Sequence, residues 1–199
     1  LGFAALEHGC DIVMMSLSKH VGGHSDLMMG SASAGQRWYT ALRRTAQELG
    51  QVVSPDDAAL AARGLRTMGV RLEAQTRSAL RIAQWLAAQP EVARVLCPLL
   101  PSDPGHVLWR RDFTGGCGLF AFTLASDDPA AAGRVADALA LFGIGYSWGG
   151  FESLALPIRP EDYRSLMPGP GAPAIRLSIG LEDADDLIAD LAQALAQTA

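Results

Sequence analysis

Short apolar runs separated by glycine-containing breaks make up the start of the chain. The run Ile12-Val13-Met14-Met15 predicts a strand over residues 11–15, and a second strand is predicted over residues 27–33. Residues 36–49 have apolar side chains at helical spacing and end before Gly50, which predicts a helix. These elements indicate an α/β protein with a turn between its first two strands.

A strong helix start follows at Ser54-Pro55-Asp56-Asp57. It combines a capping serine, proline at the first helical position and acids in the first turn. The next residues favour helix, but Gly64 and Gly69 interrupt them, so we expect two helices, over residues 55–67 and 70–88.

The helical stretch divides the chain into two predicted domains, because a long helix at such a position commonly leads from one domain into the next. The predicted limits are residues 1–65 and 66–199. Within the second domain we predict strands over residues 92–96, 118–124 and 174–179, helices over 129–142 and 183–196, and loops over 98–118 and 157–173.

Composition excludes several classes of function. Of the 199 residues, 49% are apolar and 19% charged, as in ordinary globular proteins, and the net charge of −5 argues against a nucleic-acid surface. No apolar run reaches the length of a membrane span. Cys10, Cys97 and Cys117 form no CxxC pair, which favours reduced thiols. We therefore expect a cytoplasmic protein without nucleic-acid or membrane partners.

One lysine carries the strongest chemical signal. Lys19 lies in Ser16-Leu17-Ser18-Lys19-His20-Val21-Gly22-Gly23-His24-Ser25-Asp26, between a predicted buried strand and a glycine-bearing turn. Partial burial there favours the neutral, nucleophilic amine that forms a Schiff base with an aldehyde cofactor such as pyridoxal phosphate. The alternative is a surface lysine at a strand end, and the local sequence leaves both interpretations open.

Two histidines near this lysine have a spacing that zinc ligands use on a helix. His20 and His24 are four residues apart, which would place both on one helix face. Gly22-Gly23 between them disfavours a helix, and the sequence offers no evident third ligand. We therefore predict no metal, and interpret both as loop histidines bonded by the backbone.

Arg176 is a charged residue inside the apolar stretch Ile175-Arg176-Leu177-Ser178-Ile179-Gly180. A buried guanidinium needs acceptors, and a carboxylate is the usual one. The partner is either an acid of this chain, among residues 182–186, or the carboxylate of a substrate. Both interpretations stay open.

An irregular segment combines aromatic rings, hydroxyls and a glycine pair. It reads Tyr146-Ser147-Trp148-Gly149-Gly150-Phe151-Glu152-Ser153-Leu154. Aromatic clusters usually belong to a core, but adjacent glycines indicate that backbone approaches a ligand or another chain.

Four segments resemble, in order, the Cys/Met-metabolism family of pyridoxal-phosphate enzymes, and the similarity covers nearly the whole chain. The resemblance implies an α/β fold in which the end of a fold type I large domain precedes a smaller C-terminal domain. The segments are the lysine turn, Arg63-Gly64-Leu65-Arg66-Thr67-Met68-Gly69-Val70-Arg71, Gly149-Gly150-Phe151-Glu152-Ser153-Leu154 and Ile175-Arg176-Leu177-Ser178-Ile179-Gly180-Leu181-Glu182.

The resemblance also implies cofactor-binding residues. Lys19 would hold pyridoxal 5'-phosphate through a Schiff base and then move the Cα proton of the substrate as general base and acid. Ser16 and Ser18 would hydrogen-bond the cofactor phosphate. The family usually has threonine at the position of Ser18, and serine keeps the hydroxyl.

The substrate-binding residues are implied in the same way. Arg176 would bind the α-carboxylate of an amino-acid substrate with help from Ser147. Tyr146 and Trp148 would line the pocket that receives the sulfur-containing side chain.

Within the family, Tyr146-Ser147-Trp148 and Arg111-Asp112-Phe113-Thr114-Gly115 are similar to the bacterial cystathionine β-lyase branch. This implies a carbon–sulfur lyase of methionine biosynthesis that converts L-cystathionine into homocysteine, pyruvate and ammonia, and a homotetrameric assembly. One alternative is a cystathionine γ-synthase or γ-lyase of the same family. A second is a non-catalytic α/β interaction module.

Only 18 residues precede the lysine. Family members carry an aspartate for the pyridine nitrogen, a stacking tyrosine and a glycine-containing phosphate loop upstream of it. We therefore expect the chain to be the C-terminal part of a longer enzyme, and expect no turnover from this chain alone.

Overall fold

The computed structural model describes residues 2–158 and 171–198. It has two separate β-sheets and one long helix, which confirms the predicted α/β class. The elements are β1 (Ile12–Ser16), β2 (Gly30–Ala34), α1 (Gln36–Glu48), α2 (Pro55–Leu86), β3 (Val92–Leu96), α3 (His106–Asp112), β4 (Leu119–Leu124), α4 (Ala131–Ala138), β5 (Gly143–Ile144), β6 (Leu154–Ile158), β7 (Ala174–Ser178), α5 (Ala184–Leu195) and a final 3₁₀ turn (Ala196–Thr198).

Strands β1 and β2 form a two-stranded antiparallel ladder in which Ile12 lies opposite Ala34 and Ser16 opposite Gly30. This register brings the two ends of the intervening loop together, so the loop that carries Lys19 starts and finishes at one edge of the ladder. The faces of the ladder are largely open, and the Met14 side chain is 86% exposed.

Helix α2 is continuous, and the prediction of two helices was wrong. Its start is as expected: the Ser54 side chain accepts a hydrogen bond from the Asp57 amide at 3.0 Å, with Pro55 in the first turn. A glycine inside a helix costs only about 0.5–1 kcal/mol. At Gly64 a side chain would overlap the backbone of Val21, so the missing Cβ permits a close contact.

One buried stripe along α2 serves both halves of the fold. Toward its start the stripe faces the lysine loop, and toward its end it packs on the larger sheet. Its members recur at helical spacing and are Ala61, Gly64, Arg71, Gln75, Ala79, Ile82, Ala83 and Leu86.

The larger sheet has the strand order β3-β4-β7-β6-β5, with antiparallel pairs except β5 beside β6. Strand β7 is central, so Arg176 on it lies opposite Ala121 of β4 and Leu156 of β6. Helices α2, α4 and α5 pack with this sheet in one hydrophobic core. Its fully buried side chains include Ile82 of α2, Phe122 of β4 and Leu187 of α5.

Helix α4 ends earlier than the predicted residue 142, and the reason is a distant carboxylate. Asp190 on α5 accepts hydrogen bonds from the amides of Ala140 and Leu141, which satisfies them outside a helix. Phe142 still reaches the core. Local sequence pattern cannot reveal an acceptor on another element.

The predicted loops also contain regular structure. Helix α3 lies within the expected loop over residues 98–118, and β6 covers the start of the expected loop over residues 157–173. Residues 159–170 of that loop lie outside the described part of the chain. Among the described helices, none has the length and apolar character needed to cross a membrane.

Candidate active site

The loop after β1 holds Lys19 in a compact turn. The amides of Gly22 and Gly23 donate to the carbonyls of Leu17 and Lys19, both at 2.8 Å. Gly23 has φ +72°, a conformation that a side chain would strain. The Lys19 side chain is therefore presented from a turn that is closed by its own backbone, and it is half-buried.

Ser18 joins this turn to β2. Its hydroxyl accepts from the Met29 amide at 2.9 Å and lies 3.3 Å from the Met29 carbonyl, to which it donates. Ser16, at the end of β1, is exposed. One candidate phosphate ligand, Ser18, thus lies on the lysine loop and the other, Ser16, at the end of the strand before it, but the Ser18 hydroxyl already has backbone partners.

The Lys19 amine reaches a segment that is distant in sequence. Its Nζ donates to the Ser147 hydroxyl at 2.9 Å, across 128 residues of chain, and lies 4.7 Å from the centroid of the Trp148 ring. A cation at this distance from an indole is attracted by the ring. The structure therefore brings together three residues that the sequence singled out separately.

Arg176 approaches the same ring from β7. Its Nη2 donates to the carbonyls of Gly145, Tyr146 and Ser147 at 3.2, 2.9 and 3.1 Å, and its Cζ lies 5.8 Å from the Trp148 centroid. The three carbonyls orient the guanidinium from one end. Its Nε is buried without a hydrogen-bond partner among the described residues.

The possibility of a salt bridge between Arg176 and an acid among residues 182–186 is wrong for Glu182, Asp183 and Asp185, because each of these has other partners. Glu182 accepts from the Ser153 amide and hydroxyl, Asp185 pairs with Arg81, and Asp183 caps α5. Within residues 2–158 and 171–198, neither Arg176 nor Lys19 has a carboxylate within salt-bridge distance. Two cations on one indole ring without a described counter-ion favour an anionic ligand.

The segment that carries Ser147 and Trp148 is fastened on both sides. The Gly149 amide donates to the Ser178 hydroxyl at 3.1 Å, and the Gly150 carbonyl accepts from Gln75 Nε2 at 2.6 Å. Gly149 has φ +75°, and a Cβ there would lie 2.6 Å from Nδ1 of His20. The lysine loop and this segment are therefore in direct contact.

Tyr146 lies at the rim of the site. Its side chain is 75% exposed, and its carbonyl rather than its phenol contacts Arg176. It can contact a ligand above Trp148, but the described contacts do not fix its ring.

The two histidines of the lysine loop have different environments. His24 Nδ1 lies 2.8 Å from the Gly22 carbonyl, which is the backbone contact expected of a loop histidine. His20 is half-buried, and its Nδ1 is buried without a hydrogen-bond partner in the described structure. The described residues contain no cluster of three His, Cys, Asp or Glu side chains suited to a metal ion.

Burial lowers the pKa of His20 below its ordinary value of 6.5, and the nearby Arg71 cation acts in the same direction. The unfolded chain therefore takes up this proton at a higher pH than the folded one. Stability is then lost as the pH falls from about 6.5 toward the lowered value. We expect His20→Phe to reduce the drop in thermal midpoint between about pH 7.5 and pH 5.5.

The matched control for this prediction is His24→Phe, which removes an exposed histidine from the same loop. It should leave the drop in thermal midpoint as large as in the parent protein. An unchanged drop in His20→Phe would show that other groups cause the acid destabilisation.

Sequence reasoning missed two polar residues that border the site, Arg71 and Gln75. Both are buried on α2, and both bond to the backbone of the loops described above. Their signal was present in the sequence, because they occupy positions of the helix stripe that otherwise holds apolar or small residues.

Comparisons with known proteins find relatives along nearly the whole chain. The model of the family described as Cys/Met metabolism PLP-dependent enzyme matches residues 1–196. The cystathionine β-lyase of Escherichia coli is 45% identical over 95% of this chain and 49% of its own length. The cystathionine γ-lyase of Dictyostelium discoideum is 38% identical over 96% of this chain and 51% of its own length.

A solved structure also matches nearly the whole of this chain. A cystathionine γ-synthase from Xanthomonas oryzae pv. oryzae, in complex with aminoacrylate and cysteine, superposes with a TM-score of 0.88 at 34% identity. The match covers 99% of this chain and 52% of that one. The chain thus spans about half the length of the relatives it matches.

Proposed function

Because the chain belongs to the Cys/Met metabolism family of PLP-dependent enzymes, we propose that it supplies the lysine and the carboxylate-binding side of a carbon–sulfur lyase site. The enzyme would take L-cystathionine and water to homocysteine, pyruvate and ammonia, in methionine biosynthesis. The observation that carries this proposal is the convergence of Lys19, Ser147 and Arg176 around Trp148. The family confirms pyridoxal phosphate as cofactor and the fold type I α/β class.

The residues at the site fit this cofactor. The Lys19 amine has a hydroxyl partner and no described carboxylate, so it is free to condense with an aldehyde. Bound pyridoxal phosphate supplies an electron sink for the negative charge that develops at the substrate Cα. We propose Ser16 and Ser18 as phosphate ligands, and Ser18 would exchange its bond to the Met29 carbonyl for the phosphate.

Lys19 and Ser147 are proposed to handle the Cα proton. Once the substrate amine had replaced it, the Lys19 amine would be a base about 4.7 Å from the centroid of the Trp148 ring, over which the substrate would lie. The Ser147 hydroxyl accepts from Nζ and so limits the positions that the amine takes.

Arg176 is proposed to hold the substrate α-carboxylate. Three backbone carbonyls bond one end of its guanidinium, and its Nε has no hydrogen-bond partner among the described residues, so the guanidinium still has donors that these contacts do not use. Since Arg176 lies on the central strand of the larger sheet, its position is more rigid than a loop would provide. Trp148 and Tyr146 would contact the remainder of the substrate.

The preference for the β-carbon rests on similarity. Identity of 45% to a cystathionine β-lyase, and the Tyr146-Ser147-Trp148 segment, support elimination at Cβ. The γ-lyase and γ-synthase relatives support the second candidate, reaction at the γ-carbon. Both reactions use the same lysine and arginine, so only the products distinguish them.

The test is to give L-cystathionine to the purified holoenzyme that contains this chain and identify the keto acid. We expect pyruvate together with homocysteine. 2-Oxobutyrate together with cysteine would assign the γ-reaction instead. If the protein binds no cofactor at Lys19 and forms no keto acid, the non-catalytic module is the better interpretation.

The proposal also covers the oligomeric state of the protein, the domain limits of the chain and the cellular compartment. We propose a two-part chain divided at residues 65/66, because the two sheets are separate and α2 runs from one to the other. A cytoplasmic homotetramer is proposed from the family. The exposed apolar side chains of Met14, Met28 and Val52 support further contacts for the first part.

A further inference from the structure

Two buried polar residues on α2 link the halves of the candidate site. Arg71 is 6% exposed and Gln75 is fully buried, and they are one helical turn apart. Arg71 contacts the loop that carries Lys19, and Gln75 contacts the segment that carries Ser147 and Trp148. Buried polar groups cost free energy unless they are bonded, so their contacts need an explanation.

Arg71 is bonded entirely to oxygens of the loop and of its own helix. Its Nη1 donates to the His20 carbonyl at 2.9 Å, and its Nη2 to the Val21 carbonyl at 3.1 Å and the Gly64 carbonyl at 2.8 Å. Its Nε donates to the Thr67 hydroxyl at 3.1 Å. The guanidinium fork thus holds two successive carbonyls immediately after Lys19.

Gln75 makes the corresponding contact on the other side. Its Nε2 donates to the Gly150 carbonyl at 2.6 Å, two residues after Trp148, while its Oε1 has no partner among the described residues. The two held loops then meet where Gly149 packs on the ring of His20. No other described side-chain bond joins α2 to the segment of residues 145–153.

The glycines around these contacts show that the approach is close. A side chain at Gly23 would overlap the Arg71 guanidinium, and one at Gly64 would overlap the backbone of Val21. Both positions therefore require glycine if the loop is to lie this near to α2. The loop is therefore fixed to α2 both by the hydrogen bonds of Arg71 and by close backbone packing at Gly64.

We propose that Arg71 and Gln75 are positioning residues that set the contact between the Lys19 amine and the Ser147 hydroxyl. Arg71 holds the loop on one side of this contact and Gln75 the segment on the other. A helix is a rigid spacer, so fixing both loops to adjacent turns of α2 fixes the distance between them. Neither residue touches substrate or cofactor.

The inference depends on the proposed role of Lys19 and is tested on the holoenzyme and on its cofactor-free form. The variants are Arg71→Lys, Gln75→Met and the double variant. A lysine keeps the charge at position 71 but lacks the planar fork, and methionine removes both the Gly150 bond and the unpaired oxygen. Arg77→Lys is the matched control, because Arg77 is an exposed residue on the same helix.

We expect each single variant to lower kcat per bound cofactor by about 3- to 10-fold, with a smaller change in KM, as for the loss of one or two positioning hydrogen bonds. The double variant should lose less than the product of the two, since both residues act on one contact. Arg77→Lys should match the parent protein.

A second measurement does not depend on turnover. Lys19 is the only lysine in the chain, so its acetylation by an amine-specific reagent is followed without ambiguity in its own peptide. In the cofactor-free protein, both single variants should change the labelling rate of Lys19 by at least about 2-fold relative to the parent, through loss of the Ser147 contact.

The outcomes separate this inference from the proposed function. If the parent protein forms no keto acid but the variants still change Lys19 labelling, the positioning role stands and the proposed reaction fails. If kcat per bound cofactor and Lys19 labelling both stay at parent values, while only the thermal midpoint falls, Arg71 and Gln75 are structural and the inference is overturned. Fully additive effects would also contradict a shared contact.

Discussion

Lys19→Ala is expected to abolish turnover of the holoenzyme. Removing the amine eliminates both the covalent link to the cofactor and the base beside Trp148, and lost proton transfer alone lowers kcat by about 10²- to 10⁴-fold. The measurement is keto-acid release together with mass spectrometry after borohydride reduction. The chain should then carry no covalently attached cofactor, because Lys19 is its only lysine.

Lys19→Arg is the matched variant for this prediction. It keeps a positive charge near Trp148, but a guanidinium is never deprotonated in proteins and cannot act as nucleophile or base. We expect it to retain more bound cofactor than the alanine variant and to be equally inactive. Turnover within about tenfold of the parent in either variant would contradict the role assigned to Lys19.

Arg176→Lys is expected to lower kcat/KM by about 10- to 150-fold, as for loss of a charge-assisted contact worth about 1.5–3 kcal/mol. An ammonium cannot bond the carbonyls of Gly145 and Tyr146 and still present a planar fork to a carboxylate. The effect should fall mainly on KM, because the carboxylate is bound in ground state and transition state alike.

Arg81→Lys is the control for this substitution. Arg81 is also hydrogen-bonded, but to Asp185 at the protein surface, so its replacement should leave kcat/KM within about 2-fold of the parent. An amide analogue of the substrate adds a second check, because the parent protein should discriminate against it more strongly than Arg176→Lys does. Equal discrimination by both proteins would mean that Arg176 binds something other than the carboxylate.

Local sequence was a good guide where the determining contacts lie within one helical turn, and a poor one where they come from another element. The start of α2 was predicted correctly because Ser54, Pro55 and the following acids act within one turn. Its length was mispredicted because Gly64 and Gly69 were interpreted as interruptions, with the break placed between residues 67 and 70. The close approach of the Val21 backbone explains the glycine at position 64. The early end of α4 had the same kind of cause, since Asp190 lies on another helix.

In the candidate site, too, local sequence identified some residues and missed those whose role depends on distant contacts. Lys19, Ser147, Trp148 and Arg176 were each identified as residues of interest, and the resemblance linked them to one chemistry. The residues that hold them in place were not identified. Arg71 and Gln75 occupy positions of the buried stripe of α2, but only the fold decides which backbone carbonyls they bond.

The sequence by itself determined the α/β class, the capped start of α2, the position of the single lysine in a glycine-containing turn and the arginine within an apolar strand. These depend on contacts between near neighbours, which residue order controls directly. Only the tertiary structure decided that Lys19 meets Ser147 across 128 residues, and that Arg176 has no described carboxylate partner. Such contacts depend on how distant segments pack on α2 and the larger sheet, and no local pattern specifies that packing.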